Sequence, residues 1–159
     1  QQILSLAVSL GLAPEEVNTA VFARDVSAYV GDNFRLFAAE DLIVFLWALL
    51  RLAAPGTFTA YLATGLRHVL TVWPELQANG QLSIQRLTQL SDVLTAVTQE
   101  GVWDKHLREL QDLLVRDLAD AVQFCDAEGL AEIMEIWVGS KAFWARYSDF
   151  GDAVAKRLE

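Results

Sequence analysis

The sequence predicts an all-α fold, an α-solenoid of about four stacked antiparallel helical hairpins, and three observations carry that prediction. Apolar residues recur at helical spacing, and strand-like alternation is nearly absent. Residues 42–73 laid over residues 87–118, a shift of 45, bring the apolar anchors into coincidence. Leu42 falls on Leu87, Phe45 on Leu90, Ala48 on Val93, Leu49 on Leu94, Leu52 on Val97, Phe58 on Trp103, Leu62 on Leu107, Val69 on Leu114 and Trp73 on Leu118. Third, Pro and Gly punctuate the chain at the hairpin turns, with Gly56 falling on Gly101. Self-similarity at this period marks stacked helical hairpins, which more often bind than catalyse.

The elements follow in order. A first helix over 2–10 is broken at Gly11-Leu12-Ala13-Pro14 and followed by a helix over 15–30, where Pro14, Glu15 and Glu16 suit a helix N-terminus. Gly31-Asp32-Asn33 ends it. The second hairpin starts near Ala38, buries Leu42, Phe45, Leu46, Leu49 and Leu52, breaks at Pro55-Gly56 and resumes over 58–72. Trp73-Pro74 should close it, because the residue before proline is biased away from helix. A loop follows at Asn79-Gly80. In the third hairpin Ser83 is the expected N-cap of a helix over 84–98, Gly101 makes the turn, and a longer helix covers 103–124. Its outer face carries Lys105, Arg108, Glu109, Asp112, Arg116 and Asp120, with opposite charges four residues apart, as on a solvated surface. The fourth unit takes 130–138, a turn at Gly139-Ser140, and 142–158. The units, 1–36, 37–81, 82–127 and 128–159, form one domain with no linker or low-complexity segment between them.

Composition narrows the function classes. With 53% hydrophobic residues and a mean hydropathy of +0.28, the chain is more apolar than a typical soluble domain, which suggests surface covered by other protein subunits. The net charge of −9, from 12 Lys+Arg against 21 Asp+Glu, disfavours a broad RNA-binding face, since affinity for phosphates comes largely from neutralising cations. The longest apolar run, over 42–50, is 9 residues, far short of the roughly 20 needed for a membrane span. A single Cys, Cys125, forbids an internal disulfide and fits a reducing compartment or an organelle matrix. The start at Gln1 without a basic leader reads as a processed chain or a piece of a longer one, and Leu158-Glu159 as native residues or a fusion scar.

No residue pattern points to catalysis, a cofactor or a metal. His68 and His106 fall at offset places of the repeat, and no His-Glu-x-x-His or paired-Cys spacing exists. Cys125 sits beside Asp126 rather than in the cationic setting a nucleophilic thiol needs. The acidic pairs Glu15-Glu16 and Glu40-Asp41 are explained by helix N-termini, and no phosphate-cradling Gly loop or nucleophile elbow occurs. Trp73 and Trp103, at places of the inner stripe, are expected in the core. Trp47 instead coincides with Asp92, off that stripe, and Tyr61 coincides with His106. These mismatches, with the cations Arg51, Arg67, Lys141 and Arg146, are the candidate interaction residues.

The stretch FAAEDLIVFLWALLRLAAPGTFTAYLATGLRHVL, residues 37–70, resembles the helical repeats of the FAST-kinase-like and RAP-domain proteins, relatives of the octotricopeptide repeats. Glu40-Asp41-Leu42 supplies the acidic lead-in, Trp47-Ala48-Leu49 the first-helix core, and Phe58 the aromatic opening of the second helix. Generic HEAT and armadillo-type repeats share the same apolar spacing. The resemblance implies work in mitochondria or plastids on RNA processing, RNA stability or ribosome assembly, usually without catalysis; the expected location is the mitochondrion, with the cytoplasm as the alternative. The expected function is therefore a non-enzymatic scaffold for protein–protein contacts in an organellar ribonucleoprotein assembly. A direct single-stranded RNA binder and a structural subunit of a membrane-associated respiratory complex are the alternatives.

The inner stripe makes a direct prediction. Leu90→Asp and Leu94→Asp should each cost more than about 3 kcal/mol, because each would bury an unpaired carboxylate. Thermal melts should show cooperative loss of the whole array for both variants, and unchanged melting would place the stripe in the wrong register.

Overall fold

The computed structural model describes residues 34, 37–52, 56–139 and 148–159. Among them are six α-helices and no strand: α1 (Ala39–Leu52), α2 (Thr59–Ala78), α3 (Ile84–Gln99), α4 (Lys105–Phe124), α5 (Ala127–Gly139) and α6 (Ser148–Leu158). The two helices expected over 2–10 and 15–30 lie outside the described residues.

Three boundaries depart from the sequence expectation, one of them at α5, which begins at Ala127 rather than at 130. Helix α2 does not close at Trp73-Pro74 but runs through Pro74 to Ala78. Pro74 lies on the exposed side of the helix, where it leaves only the Leu70 carbonyl without its helical donor. Trp73 and Leu76, 2% and 0% exposed, continue the buried stripe across it. Apolar burial on one face thus outweighs a proline penalty on the other. Helix α4 begins at Lys105 rather than 103, because Asp104 is its N-cap and accepts from the Leu107 amide at 2.9 Å. Asp126 caps α5 in the same way, accepting from the Gly129 amide at 2.8 Å, and Ser83 caps α3 as its sequence context predicts.

The repeat is visible in the backbone as well as in the core. Gly56 and Gly101, 45 positions apart, both take left-handed dihedrals, with φ of 86° and 85°. After α3, Gly101 donates to the Thr98 carbonyl and Val102 to the Val97 carbonyl, the double closure that a left-handed glycine permits at a helix end. Of the nine apolar pairs brought together by the 45-residue shift, eight are buried at both members. The exception is Phe58 with Trp103. Phe58 is half-buried and Trp103 is 37% exposed, against the expectation of a core tryptophan. Trp103 precedes the N-cap of α4, outside the helical stripe, and the position that would close an apolar staple over it is Arg108.

Helix α1 packs on α3 and α3 on α5, while α2 packs on α4 and α4 on α6; α1 also meets α2, α2 meets α3, α3 meets α4 and α4 meets α5. One continuous core runs through them, from Leu42, Phe45 and Leu49 to Leu114, Leu118 and Ile133. At Gly65 the backbone of α2 comes so close to α1 that a methyl group would overlap the buried Leu46 side chain. Gly65→Ala, which on an exposed helix would gain about 1 kcal/mol of helix propensity, should here lose about 1–3 kcal/mol by overpacking. Urea unfolding of the two proteins side by side reads the sign.

Candidate interaction surface

One of the two pairs that break the repeat meets in space. Trp47 on α1 and Asp92 on α3 occupy the same place in successive units, and the Trp47 Nε1–H donates to Asp92 Oδ2 at 3.3 Å. The guanidinium of Arg51, one turn further along α1, lies 4.7 Å from the center of the indole ring, within the range of a cation–π contact. The indole is half-buried against the core while Arg51 is exposed. Desolvation of the Asp92 carboxylate raises its pKa above the ordinary 3.8; the Trp47 hydrogen bond and the Arg51 charge pull the other way. Farther along the same seam, Arg86 Nε donates to Glu40 Oε1 at 3.1 Å and its Nη1 to Gln89 at 3.0 Å.

The α2–α4 seam carries its own polar contacts. Arg67 reaches Asp104 Oδ2 at 2.6 Å from Nη2 and 2.8 Å from Nε. Asp104 therefore caps α4 and ties it to α2 with one carboxylate. Its pKa is lowered chiefly by the Leu107 amide, with the Arg67 hydrogen bond and charge assisting against some desolvation. Gln77 Nε2 donates to Asp117 at 3.2 Å, and desolvation there raises the Asp117 pKa. At the next seam, Arg157 of α6 donates from Nη2 to the Cys125 carbonyl at the end of α4, at 3.1 Å.

The structure thus brings Trp47 and Arg51 together on one surface and engages Arg67 elsewhere. Tyr61 packs its ring 5.3 Å from that of Phe34, and its hydroxyl is buried without a hydrogen-bond partner. Burial pushes the Tyr61 pKa up. Lys141 and Arg146 lie outside the described residues. His68 stacks on Phe34, with ring centers 5.9 Å apart, and His106 is exposed. Among the described residues no group of three or more His, Cys, Asp or Glu is placed to hold a metal ion. No described helix is long and apolar enough to cross a membrane.

A groove of about 150 Å³ opens where the α1–α2 turn faces the end of α3. Its walls are Leu49, Leu50, Phe58, Leu62, Ala96 and Val97 with Gly56 and the polar Thr59, and the exposed Gln99 and Glu100 complete its lining. Nothing in the apolar periodicity of the chain marks this groove. Its one sequence signal is the glycine at 56, where a Cβ would come within 3.1 Å of the Glu100 carboxylate.

The chain matches no family model, no curated protein and no solved structure. Its functional reading therefore rests on its own geometry.

The two aspartates of the seams titrate with opposite sign. Asp104 has a lowered folded pKa, so its stabilisation is complete above the ordinary 3.8 and is lost as pH falls through the folded value. Asp92 has a raised one, so its contribution is greatest below 3.8 and is lost as pH rises through the folded value. Asp104→Ala should lower stability at neutral pH by about 1 kcal/mol through loss of the cap, with Asp104→Asn, which keeps a cap, losing less. Asp92→Asn should abolish that site's decline above 3.8. Urea midpoints measured through the acid range check all three.

Proposed function

We propose that this chain is a non-enzymatic helical-repeat scaffold, an α-solenoid whose stacked hairpins hold protein partners in a larger assembly. The observation that carries the reading is the equivalence of successive units. The same positions are buried in residues 42–73 and 87–118, like helices pack on like, α1 on α3 and α2 on α4, and polar contacts join unit to unit at both of these seams. Stacking of this kind exposes long lateral surfaces suited to extended partners. The resemblance of residues 37–70 to FAST-kinase-like and RAP-associated repeats extends the proposal to an organellar ribonucleoprotein, such as a mitochondrial ribosome or an RNA-processing complex.

Within that assembly the partners are proteins rather than RNA. Net charge of −9 opposes phosphate. Moreover, Arg51, Arg67 and Arg86 are engaged by Trp47, Asp104 and Glu40 respectively. Lys105, Arg108 and Arg116 of α4 are exposed but alternate with the exposed acids Glu109, Asp112 and Asp120. Native purification with and without nuclease tests the reading, with protein partners expected to remain after nuclease treatment. Labelled single-stranded RNA should not bind the purified chain even at low salt, where a phosphate-binding surface is strongest. Tight, salt-sensitive RNA binding together with nuclease-dependent partners would replace the scaffold reading by direct RNA recognition.

A further inference from the structure

We infer that the groove between the α1–α2 turn and the end of α3 receives a lysine or arginine side chain from a protein partner. The inference deepens the scaffold reading and rests on it, because it names the chemistry the partner offers. The volume of about 150 Å³ holds one long side chain; pockets for drug-sized ligands run to about 300–1,000 Å³. The walls are mostly apolar, with Leu49 and Leu50 from α1, Leu62 from α2, and Ala96 and Val97 from α3, beside the polar Thr59 at the start of α2. The mouth is not. Glu100 is exposed at the C-cap of α3 and its carboxylate stands over Gly56, and among the described residues no cation pairs with it.

Three classes of occupant can be weighed. An anionic group would meet Glu100 and a chain of net charge −9. A wholly apolar side chain would fill the walls but take water from Glu100 without replacing it, which is unfavorable for a carboxylate. A lysine or arginine satisfies both regions, since its methylene stem covers apolar surface while its charged head stays at the water-facing end. The charge there is complementary to Glu100. Gly56 contributes by absence: a side chain would press on the Glu100 carboxylate, and the φ of 86° strains any replacement.

The test uses the purified chain with methyl-labelled Leu and Val, titrated at low salt with Nα-acetyl-lysine methylamide. Saturable shifts of the Leu49, Leu62 and Val97 methyls are expected. Nα-acetyl-norleucine methylamide, which keeps the stem and lacks the charge, should bind about three-fold more weakly, the scale of one exposed ion pair. Glu100→Gln should erase that difference while leaving the methyl spectrum otherwise intact. Ala96→Leu, which fills the groove from a half-buried position, should abolish the shifts for both probes. Absence of saturable shifts, equal binding of the two probes to the wild type, or a lysine preference that survives Glu100→Gln would each overturn the inference. Because the assay needs no partner, its failure leaves the nuclease-resistant co-purification to stand or fall separately.

Discussion

Helix α1 is wrapped by protein on nearly every side: of its residues only Arg51 is exposed, and Leu42, Ile43, Phe45, Leu46 and Leu49 are almost completely buried. A helix of 14 residues is marginal in water by itself, whereas burial of each Leu, Ile or Phe contributes about 1.5–3 kcal/mol. Among the described helices, its packing partners are α2 and α3. Contact with α2 depends on Gly65, which lets Leu46 sit against the backbone. Contact with α3 aligns two equivalent stripes, and that alignment sets where the polar residues of both helices meet.

The polar contacts are better understood as register marks than as the source of stability. Exposed ion pairs contribute about 0–1 kcal/mol, and neutral hydrogen bonds only somewhat more. Yet Trp47 with Asp92 and Glu40 with Arg86 join positions 45 and 46 residues apart, so a slip of α1 against α3 by one turn would lose both. Between α2 and α4, Arg67 with Asp104 and Gln77 with Asp117 join positions 37 and 40 apart. This division of labor also shapes the surface. Cations used between units are neutralised there by the acids they meet.

The groove at the turn follows from the same geometry. It forms where the end of α1 and the start of α2, in one unit, face the end of α3 in the next, so residues from both units wall it. Glu100 can stand over its mouth because position 56 has no side chain. A site between units has no signature within either one.

The helical class, the 45-residue echo, the buried stripe, the Ser83 cap and the glycine turns were legible in the order of residues, because helical period and turn chemistry are local properties. Even Trp47 and Asp92 were marked as places where the units disagree, though reading along the chain could not reveal that they touch. Tertiary contact decided the remainder. It carried α2 through Pro74 by burying Trp73 and Leu76 on the opposite face, left Trp103 outside the core, consumed Arg67 in a cap and buried the Tyr61 hydroxyl. In each case the outcome depends on a neighbor distant in the chain, whose position exists only once the helices are packed.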